Sequence, residues 1–240
     1  MSEDNLPPSE LDIGYFRAHE RRGEITPRSI ENKLVAWQLD QNYYDGAREN
    51  GYGGFRDDGR WLDLVPKLIQ HFSIPENGTI VDLGCKKGFI LKAFKALLPQ
   101  GRFIGIENHP YPIGIADDNI KQHLTQGNLF EIPCEDNSVD FLIAFSSIYM
   151  QNLGDVVKSL KEIMRVAAGR SYITVGAFRN EAEREIFQRW TLLGTTILSI
   201  EDWHAVFRHA GYTGSVFYTT PAALGFSSSK WAVSHLSAMP

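Results

Sequence analysis

Between Thr79 and Leu97 the chain reads TIVDLGCKKGFILKAFKAL, an apolar run that stops at glycine and resumes with helical spacing. A short apolar run bounded by glycine and followed by a periodic stretch is a buried strand feeding a helix through a tight turn. The pattern recurs. RFIGIE, HLTQG, VDFLIAF and SYITVGAF read as four further strands. Between them lie a weak helix over Tyr111–Ile120, damaged by Pro112 and Gly114, and an amphipathic one over Asp155–Val166 with Val156, Leu160 and Ile163 on one side. Strands alternating with helices need crossover connections, so the expected class is α/β, a doubly wound and mostly parallel sheet.

The flanks read differently. Residues 1–28 are expected to be a poorly ordered arm, acidic and proline-bearing at its start and basic over RAHERRGEITPR. Ser29–Tyr44 carries Ile30, Leu34, Trp37 and Leu39 near helical spacing, with Ser29 as N-cap. A second helix runs through Leu62, Val65, Leu68, Ile69 and Phe72, which makes residues 29–78 an N-terminal helical cap before a main domain over 79–240. Beyond the fifth strand, Asn180–Leu193 and Glu201–Ala210 read as helices, and Ser215–Thr220 and Trp231–Leu236 as last strands.

A 240-residue chain that is 43% hydrophobic and 22% charged suits one globular α/β domain with extra segments, and excludes a disordered or collagenous chain. No run approaches the roughly 18 apolar residues that cross a bilayer, so no membrane partner is expected. MSEDNLPPSELDIG has neither signal- nor transit-peptide character. Cys85 and Cys134 are too few for a disulfide framework or a zinc site, so no metal is expected and the reducing cytoplasm is the expected setting. A net charge of −5 argues against nucleic acid as a partner.

Ligands of open α/β sheets bind beyond the carboxyl ends of the strands. There, Gly84 can take a positive φ and present bare backbone, Gly88 lets the next helix start close to the strand, and Asp82 can order the loop. Lys86 and Lys87 fill the middle of the turn, so the GxGxxG of a nicotinamide enzyme is absent. The second strand ends in Glu107, 23 positions beyond Gly84, where a carboxylate can accept both hydroxyls of an adenosine ribose.

VDLGCKKG, IGIE, Gln126-Gly127-Asn128-Leu129 with Ile132-Pro133, Asp136-Asn137-Ser138-Val139-Asp140-Phe141 and LKEIMRV at 160–166 resemble, in order, the motifs of class I S-adenosylmethionine-dependent methyltransferases. Tyr52-Gly53-Gly54-Phe55, Asp58-Gly59-Arg60-Trp61, Glu201-Asp202-Trp203 and Ala210-Gly211-Tyr212-Thr213-Gly214 resemble a bacterial subgroup associated with small-molecule or saccharide pathways. The resemblance implies a Rossmann-like methyltransferase fold of seven strands with the last antiparallel, and S-adenosyl-L-methionine as cofactor. It puts Asp82, Gly84, Cys85 and Gly88 around the methionine part, Glu107 on the ribose, Asn108, Asn128 and Leu129 at the adenine, and Phe145 and Ser146 beside the methyl. Two departures stand out. Lys86 replaces the usual second glycine of the turn, and AFSSIY lacks the Asn/Asp-Pro-Pro-Tyr/Phe signature of many nucleobase and protein-amide N-methyltransferases.

Methyl transfer from a sulfonium needs alignment above all, and a hydroxyl acceptor gains from a general base. The expected candidates are His109, Tyr149 and His204. Tyr52–Trp61 suits either a lid over the cofactor, with Tyr52 and Trp61 for stacking and Arg56 and Arg60 for its carboxylate, or a linker between two helices. Arg179, Trp190, Trp203 and Phe207 are candidates for the acceptor wall. The expected function is methylation of a small-molecule acceptor at oxygen or nitrogen. The alternatives are a catalytically silent binding protein of the same fold, and an RNA or protein methyltransferase.

Overall fold

The structure, a computed structural model, describes residues 8–16 and 27–226. In chain order the elements are β1 (Ser9–Glu10), α1 (Ile30–Ala36), α2 (Gln41–Tyr44), α3 (Arg60–Phe72), β2 (Thr79–Leu83), α4 (Phe89–Leu97), β3 (Arg102–Glu107), α5 (Pro110–Gly114), α6 (Asp118–Lys121) and β4 (Leu124–Gln126). Then follow β5 (Phe141–Ala144), a 3-10 turn (Ile148–Met150), α7 (Leu153–Ala167), β6 (Ser171–Phe178), α8 (Glu181–Trp190), β7 (Leu198–Ser199), α9 (Ile200–Ala210) and β8 (Ser215–Thr219). The sheet runs β1-β8-β6-β5-β2-β3-β4, with β7 paired to the end of β6. The chain builds outward through β3 and β4, then crosses back beside β2 to start β5. The order therefore reverses between β2 and β5, and their carboxyl ends flank a switch-point crevice.

Side-chain alternation divides the core into two layers. Val81 and Leu83 of β2 join Leu142, Ala144, Ile173 and Val175 against α7 and α9. Ile80, Phe141, Ile143 and Tyr172 face the other way, against α3 and α4. Trp203 of α9 is fully buried because its indole Nε1 reaches a carbonyl, that of Gly176, at 2.9 Å.

Every strand pairing among the described residues is parallel, including β8 on β6, because α9 carries the chain back to the starting edge before β8. The expected strand Trp231–Leu236, the candidate for the antiparallel last strand, lies outside the described residues. Three expectations need correction. Part of the N-terminal arm is built into the fold: Ser9 and Glu10 pair with Ser215 and Val216, Ile13 is buried, and Phe16 stacks on Phe217. The helix expected over Ser29–Tyr44 breaks at Leu39, whose φ is 51°, and restarts where Asp40 caps Asn42 N–H at 2.8 Å. Finally, α3 belongs to the sheet-covering layer rather than to a separate cap, since Trp61, Leu64, Val65 and Leu68 are buried in the second core layer.

Candidate functional site at the strand switch point

The turn after β2 is fastened to the end of β3. The N–H groups of Gly84 and Cys85 both donate to the Ile106 carbonyl, at 2.7 and 3.1 Å. The next N–H, that of Lys86, donates to Glu107 Oε2 at 2.9 Å. Gly84 has φ 85°, and a Cβ there would lie 2.3 Å from Ser147 Cβ, so backbone approach at this point demands glycine.

Two adjoining cavities open on this turn. The larger, about 460 Å³, is walled by Cys85, Phe145 and Tyr149 on the sheet side and by Tyr52, Arg60 and Trp61 on the other. The smaller, about 110 Å³, is walled by Glu107, Asn108 and Leu129, with Trp37 and Leu39 opposite. Gly84, Lys86 and Ser146 line both. The segment from Tyr52 to Trp61 covers the larger cavity and is tied to the turn: Lys87 Nζ donates to Asp45 at 2.8 Å and to the Phe55 carbonyl at 2.9 Å. Lys92 holds Asp57 at 3.1 Å.

Three charges meet beneath the turn. Asp82 is fully buried, and among the described residues neither carboxylate oxygen has a hydrogen-bond partner. Burial pushes its pKa up to about 7, with Glu107 adding to the rise and Lys86 opposing it. Glu107, also buried, accepts from the N–H groups of Lys86, Asn108 and His109, at 2.9, 2.9 and 3.3 Å. Burial raises its pKa, against the pull of Lys86 and these amides. Lys86 holds a left-handed backbone (φ 54°) and points its ammonium across the switch point, 3.1 Å from the Phe145 carbonyl and 3.5 Å from that of Gly84. Burial presses its pKa down, but Tyr52, Glu107 and Asp82 outweigh that and keep it protonated.

A family model described as a methyltransferase domain matches residues 74–211, the span from just before β2 to the end of α9. The chain belongs to the methyltransferase-domain family. Among solved structures, the methyltransferase is similar to the YcgJ protein of Bacillus subtilis, at 18% identity and TM-score 0.51, over 63% of this chain and 67% of that one. It is also similar to a structure of the complex between the Haloferax volcanii Trm112 methyltransferase activator and the protein assigned there as a methyltransferase. That likeness is 23% identical over 64% of this chain and 72% of the other, and at TM-score 0.49 it carries no further argument. No curated protein sequence matches the chain.

Of the residues expected at the site, the methyltransferase brings Tyr52, Arg60, Trp61, Gly84, Cys85, Glu107, Asn108, Leu129, Phe145, Ser146 and Tyr149 to the cavities. Others lie elsewhere. Asp82 sits behind the cavity walls, not among them. Gly88 (φ 74°) caps α4, and a Cβ there would crowd Leu124 at 3.2 Å. Asn128 is exposed and donates to Glu131 at 3.1 Å. His109 caps α5, its Nδ1 accepting from Tyr111 N–H at 3.3 Å. His204 sits on α9 against the Tyr218 ring, 6.0 Å between centroids. Among the described residues no histidine lines either cavity. Arg179 is paired with Glu183, and Trp203 and Phe207 are core.

The sequence reading missed Trp37 and Leu39, Tyr15 and Phe16 from the N-terminal segment, and the cationic side chains of Arg28 and Arg48. The residues present fit a nucleoside with an amino-acid tail. A carboxylate with unused lone pairs faces a small cavity with apolar walls, and backbone carbonyls converge on a point suited to an ammonium group. Lys86 now occupies that point.

Proposed function

We propose that this methyltransferase uses S-adenosyl-L-methionine and transfers its methyl group to a small-molecule acceptor at oxygen or nitrogen. The observation that carries the reading is Glu107, a buried carboxylate at the end of β3 on the wall of the smaller cavity, one bond removed from the glycine turn of β2. Glu107 accepts the ribose hydroxyls, Leu129, Asn108, Trp37 and Leu39 border the base, and the amino-acid tail lies toward Gly84 and Lys86. The cofactor supplies an electrophilic methyl on a sulfonium. What this chain contributes is alignment and exclusion of water, through Phe145, Trp61 and Tyr149 around the larger cavity. With no histidine on its walls among the described residues, that cavity suits an acceptor that needs no strong base, and Tyr149 is the aromatic hydroxyl expected to contact it. The sequence resemblance to small-molecule methyltransferases favours a metabolite over RNA or protein.

A second reading has its own observation. The Lys86 ammonium lies in the wall shared by both cavities, and a fixed cation there is the observation behind the reading of a catalytically silent binding protein. Incubating the full chain with methyl-labelled cofactor and separate low-mass, RNA and protein fractions tests both. The proposal expects label in the low-mass fraction. Label in RNA or protein overturns the substrate class, and bound cofactor with no label in any fraction supports the silent reading.

A further inference from the structure

The mouth of the larger cavity carries a positive charge that the methyl-transfer reading does not use. Arg28 and Arg48 both line it. Arg28 is seated by its backbone N–H on the Arg189 carbonyl at the end of α8 (3.0 Å), and its Nη1 donates to the Arg48 carbonyl at 2.9 Å. Arg48 in turn donates to the Gly51 carbonyl. Among the described residues the Nε of Arg28 is buried with no hydrogen-bond partner. Among the described residues neither guanidinium has an ion pair, so their contacts are with neutral carbonyls.

Two of the acids on the cavity wall are already engaged. Asp58 is bonded by Arg60 and Asp57 by Lys92. Arg56, a third cation on the wall, is likewise unpaired among the described residues. Burial and the neighbouring Arg48 charge both press the Arg28 pKa down, offset in part by Glu49, which is exposed. Two like charges held together, one with a desolvated donor left over, are stabilised by an anion that accepts from both. Guanidinium forks match the planar or tetrahedral oxygens of carboxylate and phosphate.

We infer that Arg28 and Arg48 form an anion subsite at the mouth of the larger cavity, and that it takes a carboxylate or phosphate group of the acceptor. The acceptor part rests on the proposed methyltransferase function; the anion subsite does not. An acidic group anchored there leaves the rest of the molecule to the cavity that Tyr52, Trp190, Tyr149 and Phe145 also line. The same anion chemistry could come from the cofactor's own carboxylate, and the test separates the two sources.

The experiment uses the full chain, its Arg28→Gln/Arg48→Gln double variant and Arg48→Gln alone, with Arg184→Gln as a surface control. Thermal unfolding is followed in inorganic phosphate against chloride at equal ionic strength. Calorimetry gives affinities for S-adenosylhomocysteine and for 5′-methylthioadenosine, which lacks the carboxylate. The inference expects phosphate to raise the melting temperature of the wild type and the control, with the rise lost in the double variant and reduced in Arg48→Gln. It also expects S-adenosylhomocysteine affinity within threefold of wild type in both variants. An equal phosphate response in all four proteins overturns the subsite. A tenfold loss of S-adenosylhomocysteine affinity, with 5′-methylthioadenosine unchanged, assigns the arginines to the cofactor and overturns the acceptor part. Wild type that responds to phosphate through these arginines but binds neither nucleoside overturns the methyltransferase reading while the anion subsite stands. Should the double variant not fold, Arg48→Gln alone carries the comparison.

Discussion

The Lys86 ammonium lies 3.1 Å from the Phe145 carbonyl oxygen, so a side chain from the turn after β2 bridges the crevice to the end of β5. The contact crosses the point where strand order reverses, and it puts a fixed positive charge into the wall shared by both cavities. Two positive charges in one partly desolvated site repel, so under the proposed function Lys86 is expected to discriminate between a sulfonium and the uncharged sulfur of its demethylated form.

Replacing Lys86 by Gly tests that directly. Glycine adopts the left-handed backbone at this position without cost and removes the charge. The expected outcome is a rise in the affinity for S-adenosylmethionine relative to S-adenosylhomocysteine, by about tenfold for ~1.4 kcal/mol of relieved repulsion. Calorimetry with both ligands on both proteins checks it. An unchanged ratio means the ammonium moves clear when ligand enters.

The clamp between Lys87 and Asp45 is the second testable contact. Lys87 is largely buried and holds both Asp45 and the Phe55 carbonyl, so Lys87→Met frees the segment that covers the cavity. Breaking this charge-assisted pair is expected to cost about 1.5–3 kcal/mol of stability. Amide exchange over Tyr52–Trp61 is expected to quicken in the variant, and to slow in the wild type when cofactor is added. Equal exchange in all states identifies the segment as a linker.

Most of the sheet was legible because buried parallel strands read as continuous apolar runs, as TIVDL and SYITVGAF do. Glu107 was legible because its place at a strand end is fixed by spacing alone. β1 was not, since two exposed polar residues, Ser9 and Glu10, carry no apolar pattern and pair only because β8 leaves an edge beside them. His204 and Trp203 sit on one helix, but which face meets the sheet is decided by packing, and Trp203 takes the core. Lys86 was visible as a departure from glycine, but the direction of its side chain depends on a carbonyl 59 positions away. The Arg28–Arg48 arrangement depends in the same way on the end of α8, which tertiary structure brings to the cavity mouth.

The buried, unpartnered Asp82 predicts a pH dependence. Its pKa is raised from the ordinary carboxylate range to about 7 in the folded protein, so between about pH 4 and 7 the folded state holds a proton that the unfolded state has lost. Stability from this group is therefore full below about pH 4, falls as pH rises toward 7, and is flat above. Asp82→Asn is expected to flatten that segment, by on the order of 4 kcal/mol between pH 4 and 8. Urea unfolding of both proteins across this range checks the sign, and parallel curves contradict it.

Calorimetric titration of S-adenosylhomocysteine into the full chain, beside Glu107→Ala, tests the central claim most directly. Glu107 is buried at the end of β3 with oxygens that three backbone amides do not exhaust. The account predicts saturable one-to-one binding by the wild type and a loss of about 1.5–3 kcal/mol in the variant, roughly ten- to a hundredfold in affinity. Binding that is unchanged in Glu107→Ala, or absent from the wild type, contradicts it.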